Sequence, residues 1–154
     1  MRISQRVYFS IWSETLPAAE MTGYLGIEPD ELGVRASRRS EPPIPVGHSW
    51  SLHCRERGLK LDEQIGKVLQ RVEPIKQRLL DLAAGQDVDY RLIIVRYLDD
   101  DDGEEEEFLA AITKDGKLLE GVPGQHQLLG WVLTPDQMTL LASIRCPIVA
   151  DEYG

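Results

Sequence analysis

Few residues in this chain are equipped for chemistry. Three histidines (His48, His53, His126) and two cysteines (Cys54, Cys146) are the candidates for a soft metal site or a thiol–imidazole pair. Zinc needs donors that converge to within about 2.3 Å of one point. If residues 48–54 form a strand, His48 and His53 face apart, and so do His53 and Cys54. His48 and Cys54 share a face but lie about 20 Å apart at roughly 3.3 Å per residue. The segment therefore predicts no local metal or Cys–His centre, which leaves only a long-range pairing with His126 or Cys146. Gly-x-Ser-x-Gly, Gly-x-Gly-x-x-Gly and phosphate-loop motifs are missing from the sequence. Asp151 and Glu152 are adjacent in an expected strand and face apart, so they cannot share a substrate. No catalytic residue, metal or cofactor is assigned.

Two charged groups stand out. Arg35, Arg38 and Arg39 make a basic triplet able to hold one anion. A single triplet on a chain of net charge −9 is not a nucleic-acid surface. Its plain reading is a set of solvated charges. The alternative is a small-molecule or anion site, or an enzyme, built on the Arg35–Arg39 loop beside Trp50. All three tryptophans (Trp12, Trp50, Trp131) are otherwise expected to fill the core. Asp99, Asp100, Asp101, Asp102, Glu104, Glu105, Glu106 and Glu107 place eight acids in nine positions around Gly103. Taking those eight from 26 acids leaves 18 against 17 bases, so the acidity is one local feature. With Gly103 at the sixth position of a calcium loop, the end ligands would be Leu98 and Leu109, which excludes an EF-hand. The run reads as a solvated loop, with a docking surface for a basic protein partner as the alternative.

Positioning these groups falls to alternating strands and helices. Val7, Phe9 and Ile11 alternate with polar neighbours and predict a strand over 2–12. Thr15 and Pro17 open a helix that Gly26 caps. Asp30 to Gly47 reads as a long connection, because Pro42, Pro43 and Pro45 exclude regular helix or central strand. A strand over 48–54 follows, then a helix from Leu61 to Leu82 that Pro74 kinks or splits. Val88–Leu98 is apolar on both faces at its centre, as in the middle of a sheet. Phe108–Ile112 is a further strand, and Asp115-Gly116 supplies a hairpin turn. Leu128–Leu133 is extended, Thr134-Pro135-Asp136-Gln137 starts a helix, and Cys146–Tyr153 closes with a strand.

The 154 residues, 42% apolar and 28% charged, suit one globular domain. No apolar run approaches the roughly 20 residues of a membrane span. The first 16 residues lack the pattern of a secretory signal, and two unpaired cysteines fit a cytoplasmic protein.

Leu25-Gly26-Ile27-Glu28-Pro29, Trp50-Ser51-Leu52, the Pro74-containing helix, Leu133-Thr134-Pro135 and Asp151-Glu152-Tyr153 together resemble the bacterial family called domain of unknown function 4279. The resemblance spans nearly the whole chain, with an insertion at about 99–127 that holds the acidic run and the Asp-Gly turn. It implies a fold and no catalytic residues. The expectation is a single α+β domain over 1–154. Its sheet is mostly antiparallel or mixed, of about five strands, with two to three helices mainly on one face. In function it reads as a noncatalytic protein-binding or accessory module, of immunity type in its narrowest form, with no nucleic-acid or membrane partner.

Overall fold

The computed structural model describes residues 2–56, 59–99, 111–112, 118–119 and 130–153. Strand β1 (Arg2–Ser13) leads through Pro17 into helix α1 (Ala18–Leu25). Next come the short strands β2 (Glu31–Gly33), β3 (Arg39–Ser40) and β4 (Pro43–Ile44), then β5 (His48–His53). Helix α2 (Leu61–Val72), a single 3₁₀ turn (Glu73–Ile75) and helix α3 (Lys76–Gly85) precede β6 (Asp89–Asp99). The described chain then includes β7 (Ala111–Ile112), β8 (Leu118–Leu119), helix α4 (Pro135–Ser143) and β9 (Ile148–Tyr153).

Five strands form the main sheet in the order β2-β5-β1-β6-β9. Within it β9 runs parallel to β6 while the other pairings are antiparallel, so the sheet is mixed. Register puts Phe9 opposite Leu52 and Leu92, and Ile11 opposite Trp50 and Tyr90. These residues share the inner face, where their burial is complete or nearly so. The helices supply the rest of the same core: Met21 and Leu25 from α1, Ile65, Val68 and Val72 from α2, Leu79 and Leu82 from α3, Leu140 and Leu141 from α4.

Local sequence explains the helix ends. Gly26 adopts a left-handed φ of 68°, and its N–H donates to the Thr22 carbonyl. Pro74 lacks an amide donor, and the helix divides around it into α2 and α3. At α4 the Gln137 amide donates to Thr134 Oγ1 at 3.3 Å, and the Thr134 amide donates to Gln137 Oε1 at 2.9 Å. That reciprocal cap is the one its sequence predicts.

Three expectations need correction or bounding. The Asp30–Gly47 segment is more regular than its prolines suggest, since β2 joins the sheet edge and β3 pairs with β4. Proline loses its donor but keeps its carbonyl, and Pro45 O accepts from the Ala36 amide at 2.9 Å. Residues 130–133 carry no strand, although Trp131 and Leu133 pack against the core. In the segment expected to be an insertion, β7 and β8 pair antiparallel, while Phe108, the Asp115-Gly116 pair and residues 100–107 lie outside the described residues.

Candidate functional site

Strand alternation sends every second side chain to the outer face of the sheet. Arg6, Tyr8, Ser10 and Trp12 of β1 stand there beside Ser49, Ser51 and His53 of β5, with Arg91 and Tyr97 of β6 and Tyr153 of β9. The Tyr8 and His53 rings stack with centroids 4.8 Å apart and planes 8° from parallel. Arg6 Cζ lies 5.7 Å from the centroid of the Tyr8 ring, within cation–π range. Further along, Tyr97 stacks on Tyr153 at 5.1 Å, and both rings are exposed.

Ser51, His53 and Glu31 come closest to a catalytic grouping. Ser51 Oγ lies 3.0 Å from His53 Nε2, and Glu31 Oε2 lies 3.4 Å from the same nitrogen. A Ser–His–acid triad needs the serine on one ring nitrogen and the acid on the other, so that the acid fixes the tautomer. Here both compete for Nε2. Ser51 is also only 6% exposed and donates to the Glu31 carbonyl at 3.4 Å. This arrangement cannot activate Ser51. Burial pushes the His53 pKa below the ordinary histidine value, against the pull of Glu31 and Asp30. Burial likewise raises that of Tyr8.

Below this group sits an ion cluster of structural character. The His53 amide donates to Asp30 Oδ2 at 2.8 Å, and Arg55 Nε donates to Oδ1 at 2.7 Å. Arg71 of α2 reaches Asp30 Oδ2 and also donates to the His53 carbonyl at 2.8 Å. Burial pulls the Asp30 pKa up, but hydrogen bonds from Arg71, the His53 amide and Arg55 outweigh it and hold it at about 2. The cluster ties the start of β2 to the end of β5 and to α2.

Beyond β5, at the sheet edge, runs the segment from Glu31 to His48. Arg35, Arg38 and Arg39 are all exposed on it. Arg35 Nη1 donates to the Glu14 carbonyl at 3.5 Å, and Arg39 Nε donates to the Pro42 carbonyl at 3.2 Å. Between the arginines and around them, Leu32, Val34, Ile44 and Val46 expose 48%, 52%, 39% and 56% of their surface. The arginine triplet thus shares its segment with four exposed apolar side chains that the sequence reading missed, of which Leu32 stands opposite Trp50. Their signal was available in the spacing of Leu32 and Val34 about Gly33, and of Ile44 and Val46 about Pro45, on a segment rich in arginine.

The tryptophan near this loop is not the expected one. Trp50 is fully buried on the inner face, where its Nε1 donates to Thr22 Oγ1 at 3.1 Å. It fills the core and offers no wall to a ligand at the arginines. Trp12 is the neighbour: a Cβ on Gly47 would fall 2.5 Å from its indole, so glycine is needed where the loop crosses the ring. Register explains the difference, since residues 12 and 50 point to opposite faces of the sheet.

The acidic candidates separate from the arginines. Asp99 ends β6 opposite Arg2, at the other end of the sheet. Asp100, Asp101, Asp102, Glu104, Glu105, Glu106 and Glu107 lie outside the described residues. Among the described residues no three His, Cys, Asp or Glu side chains are grouped to hold a metal ion. Cys54 and Cys146 are both free thiols, and burial pushes Cys146 up to about 12. No helix among the described residues is long and apolar enough to cross a membrane.

The family model described as Domain of unknown function (DUF4279) matches residues 2–119, which takes in β1 through β8 and stops before α4 and β9. No curated protein and no solved structure matches the chain.

Proposed function

This chain belongs to the DUF4279 family, and from that premise and its exposed surface we propose that it is a noncatalytic protein-binding module. One observation carries the reading: Leu32, Val34, Ile44 and Val46 are exposed together on the segment that also displays Arg35, Arg38 and Arg39. Exposed apolar side chains rimmed by charge suit a contact surface, and arginine is enriched at interfaces. The geometry of Ser51 and His53 supports the noncatalytic half of the proposal. An anion site is the second reading, drawn from the same three arginines. Two free thiols, one of them buried, suit the reducing cytoplasm of a bacterium. The acidic run suits a basic partner, and an accessory or immunity-type role is the narrowest form of this proposal.

The test is affinity capture from native lysate with the wild-type chain and with Val34→Ser/Val46→Ser. Both side chains are exposed, so stability should change by no more than about 0.5 kcal/mol. A partner retained by the wild type and lost by the variant is the expected result. Identical recovery by both chains would overturn the assignment of this surface.

A further inference from the structure

We propose, on the reading of residues 34–46 as part of a contact surface, that His48 latches this hairpin in place and that acid releases the latch. At the base of the hairpin the Arg35 amide donates to His48 Nδ1 at 3.2 Å. An imidazole nitrogen accepts only through its lone pair, so this bond requires a neutral His48 with its proton on Nε2. Protonation of Nδ1 consumes the acceptor and leaves a second donor facing the Arg35 N–H. The bond then opens, and a cationic ring stands against an arginine. Turning the ring does not restore the bond, because an imidazolium has no acceptor left.

The other bonds of the hairpin show what this one controls. β3 pairs with β4, and the Ala36 and Arg38 amides donate to the Pro45 and Ile44 carbonyls, all within the hairpin itself. The pairing of β2 with β5 stops at Gly33. Among the described residues, two hydrogen bonds cross from 34–46 to the body of the domain, and both leave from Arg35: one to His48, the other from Nη1 to the Glu14 carbonyl at 3.5 Å. Protonation removes the shorter. The charged residues around His48 are Arg35 on the hairpin, Glu14 beside the Ser13 that pairs with it on β1, and Asp87, whose carbonyl accepts from Ser13 Oγ. All three are exposed. The second histidine of β5 answers acid in the opposite sense. His53 Nε2 lies 3.4 Å from Glu31 Oε2, with Asp30, Arg6, Arg71 and the stacked Tyr8 ring around it. A protonated His53 holds Glu31 more strongly, so β2 stays on the sheet while the hairpin beyond it is freed.

Proton–nitrogen NMR of the full chain between about pH 8 and 5, the range in which histidine changes charge, tests this. The Arg35 amide proton should move upfield with the same midpoint as the His48 ring, and backbone order over 36–46 should fall across the same range. His48→Asn keeps an acceptor near the Nδ1 position and cannot titrate, so its Arg35 amide should hold the bonded shift throughout. His48→Ala has no acceptor and should show the released shift and the loosened hairpin already at the upper pH. An Arg35 amide that ignores the His48 midpoint, one that titrates equally in His48→Asn, or a hairpin whose order is unchanged in acid would each overturn the proposal. If Val34→Ser/Val46→Ser keeps every lysate partner while Arg35 titrates as described, the contact reading falls and the latch stands. An unresponsive Arg35 beside a partner lost in that variant removes only the latch.

Discussion

The two faces of the sheet are built from the same five strands and carry opposite kinds of side chain. Inward go Val7, Phe9, Ile11, Trp50, Leu52, Leu92 and Ile94, all but sealed from solvent under four helices. Outward go Arg6, Tyr8, Ser10, Trp12, Ser49, His53 and Tyr97, half-buried or exposed. A one-residue change in register would exchange the two sets, so the inner face also fixes what the outer face displays. Stability is concentrated on the first face, and the chemistry suited to contact is on the second. The arginine segment lies at the sheet edge beyond β5, with Gly47 against Trp12 and hydrogen bonds between its own strands holding it.

Tryptophans on the two faces give the largest expected contrast. Trp50→Ala should cost about 3–5 kcal/mol in chemical denaturation, because it empties a sealed site and removes the donor to Thr22. Trp12→Ala should cost clearly less, about 1–2 kcal/mol, since half-burial gives up less apolar area. Equal losses would break the division of labour between the faces.

Next in size is the Asp30 cluster, which binds the edge of the sheet to α2. Asp30→Asn should destabilise by about 2–3 kcal/mol, the scale for hydrogen bonds to a charged group. Its carboxyl pKa drops from 3.8 unfolded to about 2 folded. The carboxylate's contribution is therefore complete above about pH 4 and fades as pH falls toward 2. Wild type and Asp30→Asn should converge in stability over that window. Parallel pH profiles would show that Arg55 and Arg71 do not depend on this charge.

Cap removal at Thr134→Ala should cost about 1 kcal/mol, by loss of the acceptor for the Gln137 amide. The smallest effect belongs to the outer face. Tyr8→Ala should lose about 0.5–1.5 kcal/mol for the stack on His53 beyond its area term. Burial lowers the His53 pKa below 6.5, with Glu31 and Asp30 opposing, so its neutral form is favoured and its contribution is lost as pH falls below that value. Proton NMR of the imidazole should give a midpoint below 6.5. A midpoint above it would mean that Glu31 outweighs burial, and would sharpen the outer face into an acid-responsive one.

Local patterns in the sequence determined most of the elements. Apolar alternation placed β1, β5 and β6, a glycine ended α1, a proline divided α2 from α3, and Thr134 with Gln137 opened α4, because each depends on backbone sterics or on partners within four residues. The arginine triplet was legible for the same reason. Tertiary structure alone decided which neighbours those elements meet. The parallel pairing of β9 with β6 joins residues 56 positions apart, and the strand order likewise rests on pairings between segments distant along the chain. So does the Asp30–Arg71 contact across 41 positions, and so does the exchange of Trp50 for Trp12 beside the arginines. A strand pattern states that successive side chains part to two faces; only packing against the helices states which face is closed.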